Sequence, residues 1–171
     1  MREALETANE MQSLGIIGAY AVIGSVAVIY WGTPTDTGDL DIAFLHGLES
    51  HEIFSMSEIY RYFDEHDLKV EDFTVWIGGV KVQFVPSTGP LSDEAIAKAQ
   101  DVVWFDVKTR VALPEYVIAL KLVASRTKDY THILNLLSNA QVDFSILNGI
   151  ISRFELKDKW NRFLGATLWG Q

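Results

Sequence analysis

Tyr20-Ala21-Val22-Ile23-Gly24-Ser25-Val26-Ala27-Val28-Ile29-Tyr30-Trp31-Gly32, followed after a short loop by Thr37-Gly38-Asp39-Leu40-Asp41-Ile42-Ala43, is the stretch on which the fold turns. Its opening residues are apolar and Gly24-Ser25 break the run, so a buried strand is expected to give way to a short apolar helix that stops at Gly32. Thr33 to Gly38 is rich in turn formers. Asp39 to Leu45 alternates as a strand does, and residues two apart on a strand share a face, so Asp39 and Asp41 stand side by side. Two carboxylates that close repel each other unless a cation lies between them. Mg²⁺ suits such a pair, because it commonly takes one or two carboxylates and completes its shell with water and phosphate oxygens. A Gly-Ser turn from strand into helix is the complementary half, with backbone N–H groups and a hydroxyl that can meet an anionic phosphate. Taken alone, however, Asp-x-Asp on a strand is more often a solvated edge or turn.

Outward from this stretch, Met1 to Leu14 is charged and amphipathic, with Met1, Ala4, Leu5, Ala8, Met11 and Leu14 at helical spacing. Ile16 to Ile23 is expected to be a buried strand broken by Gly18. On the other side, His51 to His66 reads as an amphipathic helix with Ile53, Phe54, Ile59, Tyr60 and Phe63 turned inward. Three β-like stretches follow, Leu68 to Val70, Thr74 to Ile77 and Val80 to Val85, the last two joined by the hairpin signal Gly78-Gly79. Ser92 to Ala99 is a helix with Ser92 as its expected cap, and Val102 to Ala112 gives one or two more strands. From Pro114, suited to a first helical turn, the pattern is helical to Leu168, in three or four helices. Residues 1–112 thus read as an αβ core and 113–171 as a helical region packed on it in a single compact unit, an α+β fold.

The chain has 171 residues, 49% of them hydrophobic, no cysteine and a formal net charge of −9. One mixed domain with a real core is the expectation at this length, and the aromatic content argues against disorder. Lack of cysteine excludes a disulfide scaffold, a thiolate zinc site and a cysteine nucleophile. The acidic balance argues against a surface that is all nucleic-acid footprint, and against extended contact with duplex nucleic acid. The longest apolar run, Leu14 to Trp31, is interrupted by Gly15, Gly18, Gly24 and Ser25 and falls short of the about 20 predominantly apolar residues a membrane span needs. No basic n-region with a cleavage site is present, so a cytoplasmic protein with no membrane partner is expected. Between Lys108 and Lys128 the balance reverses, with five basic residues against one acid, Glu115. That clustering favours a local phosphate-binding role.

The Gly24-Ser25 and Asp39-Leu40-Asp41 pattern resembles the first motif of the DNA polymerase β-type nucleotidyltransferases, and more closely that of the minimal, AbiEii-like branch linked to bacterial toxin–antitoxin systems. A later segment, Leu113-Pro114-Glu115 through Lys121 to Ser125-Arg126-Thr127-Lys128-Asp129, is similar to that branch's second signature, a helix with a lysine followed by an arginine and a Lys-Asp pair. The resemblance spans roughly residues 15–140. It implies a nucleotidyltransferase-like mixed sheet flanked by helices, with a C-terminal helical segment. It implies an activity too: a nucleoside monophosphate moved from an NTP to an acceptor, which is an RNA end, a protein hydroxyl or a small molecule. Mg²⁺ or Mn²⁺ is the implied cofactor and a cognate antitoxin an implied partner. Residue by residue, Asp39 and Asp41 become the catalytic metal ligands and Gly24 and Ser25 the turn that holds the β- and γ-phosphates. Lys121, Arg126 and Lys128 become contacts to the triphosphate or the acceptor.

Such a transfer is positioning and charge neutralisation more than covalent chemistry. Two metals would polarise the α-phosphate and stabilise the leaving pyrophosphate, which calls for a third carboxylate. The family takes it from a neighbouring strand, and the matching strand here, Val80-Lys81-Val82-Gln83-Phe84-Val85-Pro86, offers Gln83, an amide with no charge and no basicity. Either another acid, such as Asp72 or Asp106, enters the site, or the chain is a catalytically degenerate module of the same fold that binds a nucleotide or a partner protein. The family often has an acid where His132 stands. His46, His51, His66 and His132 show no metal spacing and are expected at surfaces or caps. Trp31, Trp76, Trp104, Trp160 and Trp169 are expected in the core, with Trp31, just past the phosphate turn, the exception by position. Arg126 and Asp129 are spaced to pair across one helical turn.

Overall fold

The structure is a computed structural model that describes residues 1–35, 37–46 and 56–168. In chain order its elements are α1 (Arg2–Ser13), β1 (Tyr20–Ile23), α2 (Gly24–Trp31), β2 (Asp39–Phe44), α3 (Ser57–Glu65), β3 (Val70–Glu71), β4 (Thr74–Ile77), β5 (Val80–Pro86), α4 (Pro90–Ala97), β6 (Gln100–Trp104), β7 (Val107–Val111), α5 (Pro114–Ala124), α6 (Thr127–Asn139), α7 (Phe144–Arg153) and α8 (Lys157–Leu168). The strands form one mixed sheet in the order β3-β4-β5-β2-β1-β7-β6. β2 runs parallel to β5, and β1 parallel to β7, while the other neighbours are antiparallel. This is the expected α+β fold: a mixed sheet flanked by helices, with a helical C-terminal segment.

The centre of the sheet is also its most apolar part. β1 buries Tyr20, Ala21 and Val22, and β2 buries Leu40, Ile42 and Phe44 on one face while Asp39 and Asp41 stay half-buried on the other. The acid pair therefore sits on the half-buried face of the central strand, beside the half-buried Ile23, Lys81 and Gln83. α5 is the hub of the helices. Its residues Pro114 to Ala119, with Lys121 and Leu122, are all buried, as expected of a helix that is apolar around its whole circumference. It packs against α2, α4, α6, α7 and α8.

The strand expected from Ile16 begins only at Tyr20. Before it, Gly18 N–H donates to Leu45 O at 2.8 Å and Leu45 N–H to Ala19 O at 2.8 Å, so the chain meets the end of β2 before regular pairing starts. The expected strand Leu68 to Val70 is displaced to Val70–Glu71. Ser92 is not a cap: α4 starts at Pro90 after Gly89, and Ser92 is its third residue, within the first turn, where its hydroxyl donates to Gly89 O at 2.9 Å. Leu14 and Tyr60, expected inward, are exposed at 60% and 36%. Ile53 and Phe54, which the sequence reading turned inward, together with His51 and Trp169, fall outside the described residues. Trp76 is exposed, and Trp31, Trp104 and Trp160 only edge the core.

Asp72 and Asp106, the two acids considered as a third carboxylate, serve a different purpose. Asp72-Phe73 links β3 to β4 and Phe105-Asp106 links β6 to β7, all four at positive φ. These are two-residue hairpin turns, where Asp is favoured because it tolerates the left-handed region. Gly78-Gly79 makes the expected third hairpin with φ of 54° and 75°.

Candidate functional site

The turn from β1 into α2 is built around Gly24, at φ 68°. A Cβ on this residue would lie 2.9 Å from Asp41 Cγ and 3.1 Å from Asp41 Cβ, and would run into Oδ2. The register explains the approach, since Ile23 pairs with Asp41 across β1 and β2. Glycine thus lets the Asp41 carboxylate sit directly against the start of α2. That helix has no side-chain cap, so its first N–H groups keep their hydrogen-bonding capacity for another partner.

On the other side of β2, the parallel register with β5 sets Lys81 beside Asp39 and Gln83 beside Asp41. Gln83 therefore holds the position across from the acid pair that the sequence assigned to it. Burial pushes the Asp41 carboxyl above its usual value and the Asp39 charge adds to this, while Lys121, Lys128 and Arg126 act against it. Among the described residues no cluster of three His, Cys, Asp or Glu could hold a metal ion.

The opposite wall is basic and comes from the α5–α6 junction. α5 ends at Ser125 with φ 51°, and Arg126 N–H donates to Asp129 Oδ2 at 3.1 Å as α6 starts. Asp129 is fully buried. It accepts Arg126 Nε at 2.8 Å and Nη2 at 3.3 Å, and pairs with Lys121 Nζ at 3.1 Å. Burial works against the Asp129 charge, but the bonds from Arg126 and Lys121 outweigh it and hold the carboxyl below its usual range. Lys121 is itself 6% exposed, and burial pulls its ammonium below the usual lysine value despite the bond to Asp129. Lys121 is thus held in a structural ion pair; its positive charge is still felt by Asp41.

Between the two walls lies a cavity of about 430 Å³. Ser25 lines it from α2; Thr35, Thr37 and Gly38 from the loop before β2; Asp39 and Asp41 from β2; Gln83 from β5; Lys121 from α5; and Arg126, Lys128, Thr131 and His132 from the start of α6. Of the seven residues singled out from the sequence, six line this one space, and the seventh, Gly24, seats Asp41. The loop forming one rim is tied to α6: Thr33 N–H and Oγ1 donate to Asn135 Oδ1 at 2.9 and 3.1 Å, and Asn135 Nδ2 donates to Thr33 O at 3.1 Å. Sequence reading passed over Asn135 and Thr131. Their signal was present, since residues 128, 131, 132 and 135 follow helical i, i+3, i+4 and i+7 spacing along one face of α6. His132 was expected at the surface and is instead 5% exposed. A larger hollow of about 640 Å³ beside α1 and the β6–β7 hairpin, lined by residues such as Asn9, Tyr20 and Arg110, contains neither acid of the pair.

No protein-family model matches the sequence, and no curated protein matches it. Solved structures do. An antigenic nucleotidyltransferase-like protein from Paracoccidioides brasiliensis superposes with a TM-score of 0.55 at 15% identity, over 96% of this chain and 94% of that one. ANT(2'')-Ia in complex with adenylyl-2''-tobramycin gives a TM-score of 0.53 at 16% identity, over 93% and 95%. The solution structure of the antibiotic-resistance factor ANT(2'')-Ia gives 0.52 at 13%, over 92% of each chain. The fold is that of the nucleotidyltransferases. At these identities the likeness concerns the fold, and it extends across nearly the whole chain rather than the αβ part alone. The resemblance in the sequence is thereby met at the level of the nucleotidyltransferase fold; no AbiEii-like protein is among these three. No helix among the described residues is long and apolar enough to cross a membrane.

Proposed function

We propose that the chain is a nucleotidyltransferase that moves a nucleoside monophosphate from an NTP to an acceptor hydroxyl with Mg²⁺ or Mn²⁺. The observation that carries this reading is the opposition of Asp39 and Asp41 to Lys121, Arg126 and Lys128 across one cavity of about 430 Å³. A space walled by acids on one side and bases on the other suits a cation bound to a polyphosphate, and neither partner alone.

The donor set fits a single divalent ion better than two. Two carboxylates on one strand face with an amide beside them match Mg²⁺, which is usually held by one or two carboxylates plus substrate phosphates. Asp41 has a further reason to take a cation, since burial penalises its charge and a divalent ion offsets that penalty. A bound Mg²⁺ would neutralise charge on the phosphates as the bond to the acceptor forms. The chain's own residues do the rest. Asp39 and Asp41 hold the metal, Gly24 and Ser25 receive the β- and γ-phosphates at the start of α2, and Arg126 and Lys128 bind phosphate oxygens. Lys121, locked to Asp129, fixes Arg126 indirectly and adds charge from behind.

For the acceptor, a small hydroxylated molecule has the added support that ANT(2'')-Ia is found with adenylyl-2''-tobramycin. An RNA end or a protein hydroxyl is the alternative. The Lys121, Arg126 and Lys128-Asp129 signature supports placing the chain in the AbiEii-like branch, as a toxin-type enzyme with a cognate antitoxin protein as partner. The net charge of −9 favours each of these acceptors over extended duplex nucleic acid. Incubation with α-labelled NTPs, Mg²⁺ or Mn²⁺ and a panel of tobramycin, short RNA and lysate protein tests the reading. Transfer should be lost in Asp39→Asn and Asp41→Asn; transfer that survives both substitutions together refutes it. Gln83 favours a second reading, a module that binds a metal-nucleotide without turnover. That reading expects nucleotide- and metal-dependent thermal stabilisation with no labelled product.

A further inference from the structure

Transfer to a hydroxyl needs a group that removes its proton, and the cavity contains few candidates. Gln83 has no basicity. Asp39 and Asp41 are committed to the metal on the reading above. Asp129 is fully buried with both oxygens bonded to Arg126 and Lys121. Lys121, Arg126 and Lys128 are cations. His132 is what is left among the described lining residues, and three further observations point to it.

It stands one helical turn after Lys128 and lines the same cavity as Asp41 and Gln83 while being only 5% exposed. Its Nδ1 is the one buried side-chain nitrogen or oxygen among the described residues that has no hydrogen-bond partner. An orphaned buried polar atom costs about 1–3 kcal/mol, so a residue of purely structural value would be expected to find a partner or be replaced by an apolar one. Its surroundings also keep the ring neutral. Burial lowers the imidazole pKa, Lys121 from α5 and Lys128 and Arg126 from α6 lower it further, and only Asp129 acts the other way. A neutral imidazole has a free lone pair at neutral pH.

We propose that His132 is the general base of the transfer, the role that Gln83 cannot fill. This rests on the nucleotidyltransferase reading. In the step, the acceptor oxygen forms a bond to the α-phosphorus, and the bond from that phosphorus to the bridging oxygen of the β-phosphate breaks. The bonding pair leaves with pyrophosphate. The hydroxyl proton passes to Nε2 of His132, since Nδ1 is sealed in the interior, and the imidazolium then releases it to solvent. Reactants and products balance without a further co-reactant.

The test compares wild type, Asp41→Asn, His132→Gln and His132→Asn, each checked for a cooperative thermal transition. Transfer from α-labelled ATP with Mg²⁺ is measured against whichever of tobramycin and short RNA accepts label in the wild type. His132→Gln should lower kcat by about 100-fold or more, the usual contribution of a general base, with KM for ATP and calorimetric ATP binding changed less than about twofold. The wild-type kcat should fall with unit slope on the acid side, with a midpoint below the usual imidazole value, and this limb should vanish in both His132 variants. If Asp41→Asn abolishes transfer while His132→Gln keeps wild-type kcat or the acid limb, His132 is not the base and the enzyme reading stands. If His132→Gln loses ATP binding together with kcat, its role is structural and the proposal fails. If the wild type transfers nothing, the enzyme reading fails and the base with it.

Discussion

Replacing Gly24 by alanine separates two effects that the structure superimposes at one residue. The first is conformational: φ is 68°, and an L-residue held in the left-handed region costs roughly 1–2 kcal/mol. The second is steric. The added Cβ would meet Asp41 Cγ at 2.9 Å, against an optimum of about 3.5–4.0 Å between carbons, so the carboxylate must withdraw by about 1 Å. Overpacking of this kind typically costs about 1–3 kcal/mol. The whole substitution should then cost about 2–5 kcal/mol, or a fall in Tm of about 2–4 °C for each kcal/mol in a chain of this size. Asp41→Ala removes Cγ and both oxygens and leaves only the contact to Cβ at 3.1 Å, so in that background Gly24→Ala should cost mainly the conformational part, about 1–2 kcal/mol. Urea unfolding of the four proteins, followed by tryptophan fluorescence, gives the coupling directly. Equal costs in the two backgrounds, within the about 0.5 kcal/mol at which independent sites add, would mean that Gly24 does not seat Asp41. Loss of Mg²⁺-ATP stabilisation in Gly24→Ala should accompany the coupling, because the displaced carboxylate is a proposed metal ligand.

Other perturbations test the remaining parts of the site. Asp129→Asn leaves Lys121 buried without its counter-ion, and breaking a buried pair in this way should cost about 3–5 kcal/mol in urea unfolding. The His132 pKa lies below its usual 6.5 in the folded protein, so just below that pH the unfolded chain binds more protons and stability rises with pH. Stability should therefore be complete above about pH 6.5 and erode on acidification through that value, and thermal melts of His132→Gln should lack this segment. Gln83→Asp puts a third carboxylate beside a pair already disfavoured by burial. It should lower Tm without metal and gain more than the wild type from added Mg²⁺; a metal-independent Tm would contradict the placement of Gln83 at the acid pair. Asn135→Ala removes three hydrogen bonds to Thr33, should cost about 1–3 kcal/mol, and should speed hydrogen exchange at the Thr33 amide.

The stretch from Tyr20 to Ala43 was legible because its signals are local. A break in apolar character marks the β1–α2 turn, and period-two alternation fixes which face Asp39 and Asp41 share. Gln83 was placed by the resemblance instead, since the family takes its third carboxylate from a neighbouring strand and Val80 to Pro86 is the strand that matches; its parallel pairing with β2 emerges only in the folded sheet. Long-range choices were less legible. Asp72 and Asp106 looked like free acids because nothing in a sequence distinguishes an Asp at a hairpin turn from one facing a cavity until the strands are paired. His132 looked like a surface residue because α6 carries many polar groups, and its burial comes from α5 lying against it. The sequence pointed Lys121 at phosphate, and its pairing with Asp129 becomes visible only once α5 and α6 meet. Ser92 failed as a cap because Pro90 offered an earlier start with its φ already fixed.

The Asn135–Thr33 bonds and the Asp129 junction have a joint consequence for how the protein divides. The acid pair belongs to the sheet, whereas the cations and one rim of the cavity depend on α5 and α6. Two fragments separated near Leu113 would each inherit an incomplete ligand: the first a cation site with no counter-wall, the second an anion site with nothing to orient it. Nucleotide affinity should therefore report reassembly, so that ATP promotes the association of the halves as much as the halves promote the binding of ATP.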